Sequence, residues 1–195
     1  AIPTYESSII RFNKDGGVTV VTGTHTHGQG LETTFAQIVS DRLGVPVSDI
    51  EVLHGDTRDI GYGRGTVGAR SLLAGGAALE VAIGKLIEKG KKIAAHMLEC
   101  DAADIEFGDR HFGVKGTDRR LPLSKIAHSA YFPVNFPIKE LEPGFEESGY
   151  WDPKAVAFPN GCHVCELEID RETGAIDILD FVSVDDFGNI VNPML

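Results

Sequence analysis

Gly17-Val18-Thr19-Val20-Val21-Thr22-Gly23-Thr24-His25-Thr26-His27-Gly28-Gln29-Gly30-Leu31-Glu32-Thr33-Thr34 changes character in its middle. The β-branched run from Gly17 to Thr22 predicts a strand, while Phe35, Ile38, Val39, Arg42 and Leu43 beyond it recur at helical spacing. A chain that leaves a strand, turns through glycines and enters a helix presents unpaired N–H groups at the helix start. With the helix dipole, these form a ready anion site. The turn lacks the Gly-Lys-Ser/Thr ending of a P-loop, and Gly28-Gln29-Gly30 is too short for the dinucleotide fingerprint. Alone it reads equally as a ligand cradle or as a tight structural turn.

A second stretch repeats the design. Gly55-Asp56-Thr57-Arg58-Asp59-Ile60-Gly61-Tyr62-Gly63-Arg64-Gly65-Thr66-Val67-Gly68-Ala69-Arg70-Ser71 is again rich in glycine and runs directly into a predicted long helix from Ser71 to Glu99. Two such loops can converge on one polyanion, offering backbone amides together with Arg64, Thr66, Arg70 and Ser71.

Around these loops the chain predicts an α+β domain of hairpins with interposed helices. Ser7–Asn13 and Gly17–Thr22, split by Lys14-Asp15-Gly16, form one hairpin. Glu32–Leu43 is a helix stopped by Gly44 with Pro46 just beyond, and Ser48–His54 is a strand. The helix from Ser71 carries an apolar stripe (Leu72, Leu79, Val81, Ile83, Leu86, Ile87, Ile93, Met97, Leu98) and a solvated face from Lys85 to Lys92, broken by Gly75, Gly76, Gly84 and Gly90. Asp104–Phe107 and His111–Lys115 make a short hairpin, and Leu123–Tyr131 a short helix stopped by Pro133. The proline-rich stretch 132–159 reads as a loop-rich connection. Cys162–Asp170 and Ala175–Val184, joined by Arg171-Glu172-Thr173-Gly174, form the last hairpin.

Composition narrows the function. A net charge of −11 over 195 residues leaves no cationic face for a nucleic acid. No apolar run approaches the ~20 residues of a membrane span and no signal pattern opens the chain, so a soluble, cytoplasmic protein is expected. Three cysteines do not make a disulfide scaffold. Cys162-His163-Val164-Cys165 has the Cys-x-x-Cys form, but in a strand the two thiols face opposite ways and no second pair exists to complete a zinc site.

Other polar residues carry two readings each. His25 and His27 alternate on one strand face and with His54 suggest a metal site, yet no supporting ligand sits at the right spacing, and hydrogen bonding near a phosphate explains them as well. Gln29 can meet the edge of a heterocyclic ring, or bond to its own turn. Asp56 and Asp59, and Asp185 and Asp186, fit turn-shaping roles. No residue is assigned to catalysis or to a metal.

Taken in order, Gly28-Gln29-Gly30-x-x-Thr-x-x-Ala-Gln37-Ile38, Leu43-Gly44-Val45-Pro46, Gly55-Asp56-Thr57, Tyr62-Gly63-x-Gly65-Thr66-x-Gly68-x-Arg70-Ser71, Tyr150-Trp151-Asp152-Pro153 and Asp185-Asp186-Phe187-Gly188-x-Ile190-Val191-Asn192-Pro193 resemble the molybdenum-cofactor-binding region of the xanthine dehydrogenase / aldehyde oxidase family. The likeness is strongest to large subunits of the bacterial aerobic carbon monoxide dehydrogenase type and covers nearly the whole chain. The resemblance implies an oxidoreductase subunit that binds molybdopterin cytosine dinucleotide with molybdenum. Its partners would be the remainder of the large subunit and flavin (FAD) and iron–sulfur subunits, and its substrate a small molecule: carbon monoxide, an aldehyde or a heterocycle. It assigns cofactor contacts to Gly28, Gln29, Gly30 and Leu31 in the first loop and to Thr66, Gly68, Arg70 and Ser71 in the second. Where the family usually has Ser before that arginine, this chain has Ala69, one hydroxyl fewer. The family's catalytic glutamate motif is not among these residues, so 1–195 is expected to be a single partial domain, inactive alone. A structural or subunit-interface segment, and a stand-alone phosphate-ligand module, are the competing readings.

Overall fold

The computed structural model describes residues 5–132, 135–155 and 157–195. The chain divides into two compact units, Ala1–Val156 with Leu195, and Ala157–Met194.

The first unit is built on a four-stranded sheet. Strands β1 (Glu6–Phe12) and β2 (Val18–Thr22) form the expected antiparallel hairpin, with Ile10 opposite Val20. Helix α1 (Leu31–Leu43) then carries the chain across to β3 (Ile50–His54), which lies parallel to β2. Gly44 ends α1 as the sequence predicts. It takes a left-handed φ of 72° and its N–H returns to the Ser40 carbonyl at 2.7 Å, a geometry that costs glycine no Cβ clash. A 3-10 turn, Val47–Asp49, occupies the start of the segment expected to be strand.

The long helix departs from expectation at its start: Ser71–Gly76 is a π-helical turn, and α2 proper runs Ala77–Leu98. Its buried face consists of Leu79, Ile83, Leu86 and Ile93 with a seam of alanines and Gly90; Leu72, expected in the stripe, lies in the π-helical turn and is exposed, because that turn rotates it off the α-helical face. A Cβ on Gly90 would run into the Phe112 ring, so this glycine exists to let an aromatic side chain reach the helix backbone. Beyond α2, β4 (Ile105–Gly108), β5 (His111–Val114) and the short β6 (Arg120–Pro122) make a second antiparallel sheet, and α3 (Leu123–Tyr131) follows. β6 was not foreseen, because three residues including Arg120 and Pro122 carry no strand signal. The stop expected at Pro133 lies outside the described residues.

The stretch expected to be loop-rich holds a strand, β7 (Glu146–Trp151), which pairs antiparallel with β1 and completes the sheet order β3-β2-β1-β7. α2 crosses β7 at such close range that a Cβ on Gly149 would overlap the Ala78 carbonyl oxygen and lie 2.6 Å from the Ala82 nitrogen. Gly149→Ala is therefore expected to cost about 2 kcal/mol, read from the urea midpoint, because backbone cannot step aside as a side chain can. The lysine run is likewise only partly a solvated face. Lys85 Nζ donates to the Ser148 carbonyl at 2.8 Å and Lys89 lies 3.8 Å from Glu147, both on β7. Among the described residues, no helix is long and apolar enough to cross a membrane.

The second unit is a hairpin, β8 (Asn160–Ile169) and β9 (Ile176–Asp186). Its turn is tied by the Asp170 carboxylate, which accepts the N–H groups of Glu172 (2.8 Å) and Thr173 (3.0 Å). These bonds, that to Thr173 foremost, hold Asp170 below the usual carboxylate range. Cys162 pairs with Val184 and Cys165 with Phe181, so the two thiols lie on opposite faces as the strand period requires. Asp186 accepts the Gly188 N–H at 2.9 Å, the turn-shaping role read for it.

Candidate functional site

The two glycine loops meet at one end of the four-stranded sheet. As β2 ends, the Gly23 N–H still bonds across to Ser7, and the Gly23 carbonyl accepts the Gly65 N–H at 3.0 Å, so the second loop lies against the first as an irregular extra strand. The crossing is close: a Cβ on Gly23 would lie 2.6 Å from the Gly63 Cα and 2.8 Å from the Tyr62 carbonyl oxygen. Both glycines are required by proximity.

Beneath the crossing sits a fully buried ion pair absent from the sequence reading. Glu6, Ser8, Ile10 and Phe12 share one face of β1 by strand period, and the Glu6 carboxylate there is inaccessible to solvent. One oxygen accepts the Ser7 N–H at 3.0 Å; the other accepts the Arg64 N–H at 3.2 Å and a guanidinium N–H of Arg70. Arg70, equally buried, also donates to the carbonyls of Gly65 (2.8 Å) and Tyr5 (3.3 Å). Glu6 thus gathers β1 and the second half of the second loop, from Arg64 to Arg70, into one charge-assisted network. The signal for it was an acidic residue at an inward-facing strand position.

Thr66 joins the loops above this pair. Its hydroxyl donates to the His25 carbonyl at 2.6 Å, accepts the His25 N–H at 3.2 Å and lies 2.7 Å from the Ser71 hydroxyl. One proton and two lone pairs are then all engaged, which makes Ser71 the donor. The Thr66 N–H donates to Nδ1 of His25 at 3.3 Å, and the rings of His25 and His27 pack with centroids 4.3 Å apart. His54 lies elsewhere, 2.9 Å from Glu32. Among the described residues no group of three His, Cys, Asp or Glu is placed to hold a metal ion. Asp56 shapes its own turn, accepting the Arg58 N–H at 2.9 Å; the Arg58 guanidinium, and then this N–H, hold its carboxyl below the ordinary range.

Gln29 closes the first loop. Its Oε1 accepts from the Thr26 hydroxyl (3.3 Å) and the His27 N–H, and its Nε2 donates to the His25 carbonyl at 3.2 Å. Gln29, His25, Thr66, Ser71 and, through the Gly65 carbonyl, Arg70 therefore belong to adjoining hydrogen-bond networks. The remaining candidates contribute backbone. Gly28, Gly30 and Gly68 all take positive φ, and nothing lies within 4 Å of a Cβ built on Gly28. Leu31 puts its side chain into the core. Gly30 is the N-cap of α1 and no side chain caps that helix, leaving its first-turn N–H groups without an intrahelical acceptor. Ala69, at φ 58°, is a left-handed non-glycine residue between Gly68 and Arg70.

The donor set is one of amide N–H groups, hydroxyls and a carboxamide at an uncapped helix start, and it suits a phosphate-bearing heterocycle. The model of the molybdopterin cofactor-binding domain matches residues 1–195, and the chain belongs to that family. The carbon monoxide dehydrogenase large chain of Hydrogenophaga pseudoflava is 41% identical over 192 residues, which is 98% of this chain and 24% of that protein. Among solved structures, the Cu,Mo-CO dehydrogenase in its carbon monoxide reduced state superposes with a TM-score of 0.85 at 39% identity, over 97% of this chain and 24% of that one. Quinoline 2-oxidoreductase from Pseudomonas putida 86 gives 0.83 at 35%, over 98% of this chain and 24% of its own. The chain thus spans about a quarter of the length of the relatives it matches. These relatives share its mixed helix and strand architecture.

Proposed function

We propose that residues 1–195 are one partial domain of a molybdenum-dependent oxidoreductase large subunit, and that their two glycine loops hold the pterin and diphosphate of a molybdopterin cytosine dinucleotide. The observation that carries this reading is the His25–Thr66 junction, which fixes an uncapped helix start and a second glycine loop side by side. Burying a diphosphate is costly unless donors stand ready, and here they are held before any ligand arrives.

Within that reading the eight assigned residues divide by role. Gly28, Gly30 and Gly68 let backbone N–H groups approach the ligand. Gln29 has one Nε2 proton beyond the bond to His25 with which to meet the pterin edge. Leu31 anchors the helix start in the core, and Arg70, Thr66 and Ser71 hold the second loop from behind. The cofactor, when bound, supplies oxidation of carbon monoxide, an aldehyde or a heterocycle with oxygen from water, and electrons leave through iron–sulfur and flavin partners. This chain's own residues bind and orient it.

Gln29→Ala in the full-length subunit is expected to lower molybdenum and cytosine-nucleotide content together. Loss of one ligand hydrogen bond of about 1.4 kcal/mol weakens retention roughly tenfold. The melting temperature should fall only slightly, because the loop bonds that Gln29 makes are at an exposed position where water replaces them. The competing interface reading draws on the inward engagement of Arg70 and Thr66. It requires unchanged metal and nucleotide content in the same variant, and that result would displace the cofactor assignment.

A further inference from the structure

The hairpin β8–β9 has two unlike faces. His163 packs edge-on against Phe181, with ring centroids 5.9 Å apart, and bonds Asp185 at 2.9 Å, so these residues share a face. Pairing then places Cys165 opposite Phe181, Leu167 opposite Ile178 and Ile169 opposite Ile176 on that same face. The register shift after Glu166 leaves Leu179 unpaired, and this bulge is what keeps Ile178 and Ile176 in line with Phe181. On the other face, the stretch toward the turn carries Glu166, Glu168, Asp177 and Asp180, while the stretch away from it carries Cys162, Val164, Val182 and Val184. Exposure on the apolar face is high, 68% for Ile178 and 59% for Phe181. A two-stranded ribbon cannot shelter such a face by itself.

We infer that this face is the inner face of a sheet layer, and that an apolar segment of the same subunit, outside residues 1–195, covers it. A second copy is a poor occupant. Residues 157–194 hold eight acidic side chains against the single cation Arg171, so two hairpins repel. A ribbon two strands wide and ten residues long also presents only about 300 Å² a side, well below the ~800 Å² per partner of a stable association. The same polypeptide is the better source, because relatives of this family run to about four times this length, the chain covering 24% of them. A tethered segment docks at high effective concentration and needs no large interface. Toward the turn, where Leu167, Ile169, Ile176 and Ile178 lie, the four acidic residues keep the far side in water, which fits one covering layer there.

The test places a photo-crosslinking residue, benzoylphenylalanine, at position 178 of the full-length subunit and maps the joined peptides by mass spectrometry. Crosslinks to the same polypeptide beyond residues 1–195 are expected. Crosslinks within 1–195, to a second copy or to another subunit, or none above the solvent background, overturn the inference. Cys165 supplies a measurement on the unaltered subunit: N-ethylmaleimide should modify it at least tenfold more slowly in the native protein than in urea, and equal rates overturn the inference too. Neither readout depends on molybdenum, so this inference and the cofactor assignment fail separately.

Discussion

Glu6→Ala is expected to destabilise the protein by about 3–5 kcal/mol, the cost of leaving a buried charge without its partner. In the variant the Arg70 guanidinium loses its carboxylate partner and faces an emptied pocket, while its bonds to the carbonyls of Gly65 and Tyr5 remain. Both side chains of the pair are inaccessible to solvent, so water cannot take over the role of the carboxylate without the loop opening. Two further bonds are lost with it, since the N–H groups of Ser7 and Arg64 also lose their acceptor. Urea denaturation should show the midpoint falling with the slope unchanged. Glu6→Gln keeps the shape and is expected to recover part of the loss; recovery to the parent midpoint would show that the pair contributes geometry and not charge. In the full-length subunit, the same variants should shed cofactor as the second loop loosens, although Glu6 touches no ligand.

How much of this could be read from sequence depended on how local the cause was. The hairpin at Lys14-Asp15-Gly16, α1 with Gly44 at its end, and α3 from Leu123 to Tyr131 carry their signals within a few residues, and the structure places them where those signals fall. β7 carries none. Glu146-Glu147-Ser148-Gly149-Tyr150-Trp151 has no β-branched residue, and it becomes a strand because β1, 135 residues away at the Arg11–Glu146 pair, offers a free edge and α2 offers a groove that only glycine fits. The convergence of the two glycine loops was legible, since each announces a helix entry. What lay beneath them was not. Arg70 stands out in its motif, but its burial against a carboxylate 64 residues earlier follows only from the sheet that brings them together. The π-helical turn at Ser71–Gly76 has the same origin. Ser8 of β1 donates to the Gly75 carbonyl at 3.2 Å, and a Cβ on Gly75 would lie 2.7 Å from a Thr24 methyl. The entry to α2 is thus shaped by the first loop, through contacts that no local propensity encodes.

Gly23→Ala is expected to destabilise the first unit by about 3 kcal/mol, the upper end for overpacking. The added carbon meets rigid groups on several sides. On one it overlaps the Glu6 carboxylate, which cannot turn away without releasing Arg70; on others it lies 2.6 Å from the Gly63 Cα and 2.8 Å from the Tyr62 carbonyl oxygen, both backbone. Relief requires the two loops to part. Parting breaks the Gly65-to-Gly23 hydrogen bond and strains the Thr66 staple to His25 a few residues on. Stability and cofactor retention are therefore expected to fall together, unlike in Gln29→Ala, where the loss falls chiefly on retention. Thermal unfolding read beside molybdenum content separates the two patterns. A Gly23→Ala subunit that melts lower yet keeps its full complement of metal would mean that the loop crossing serves the fold alone.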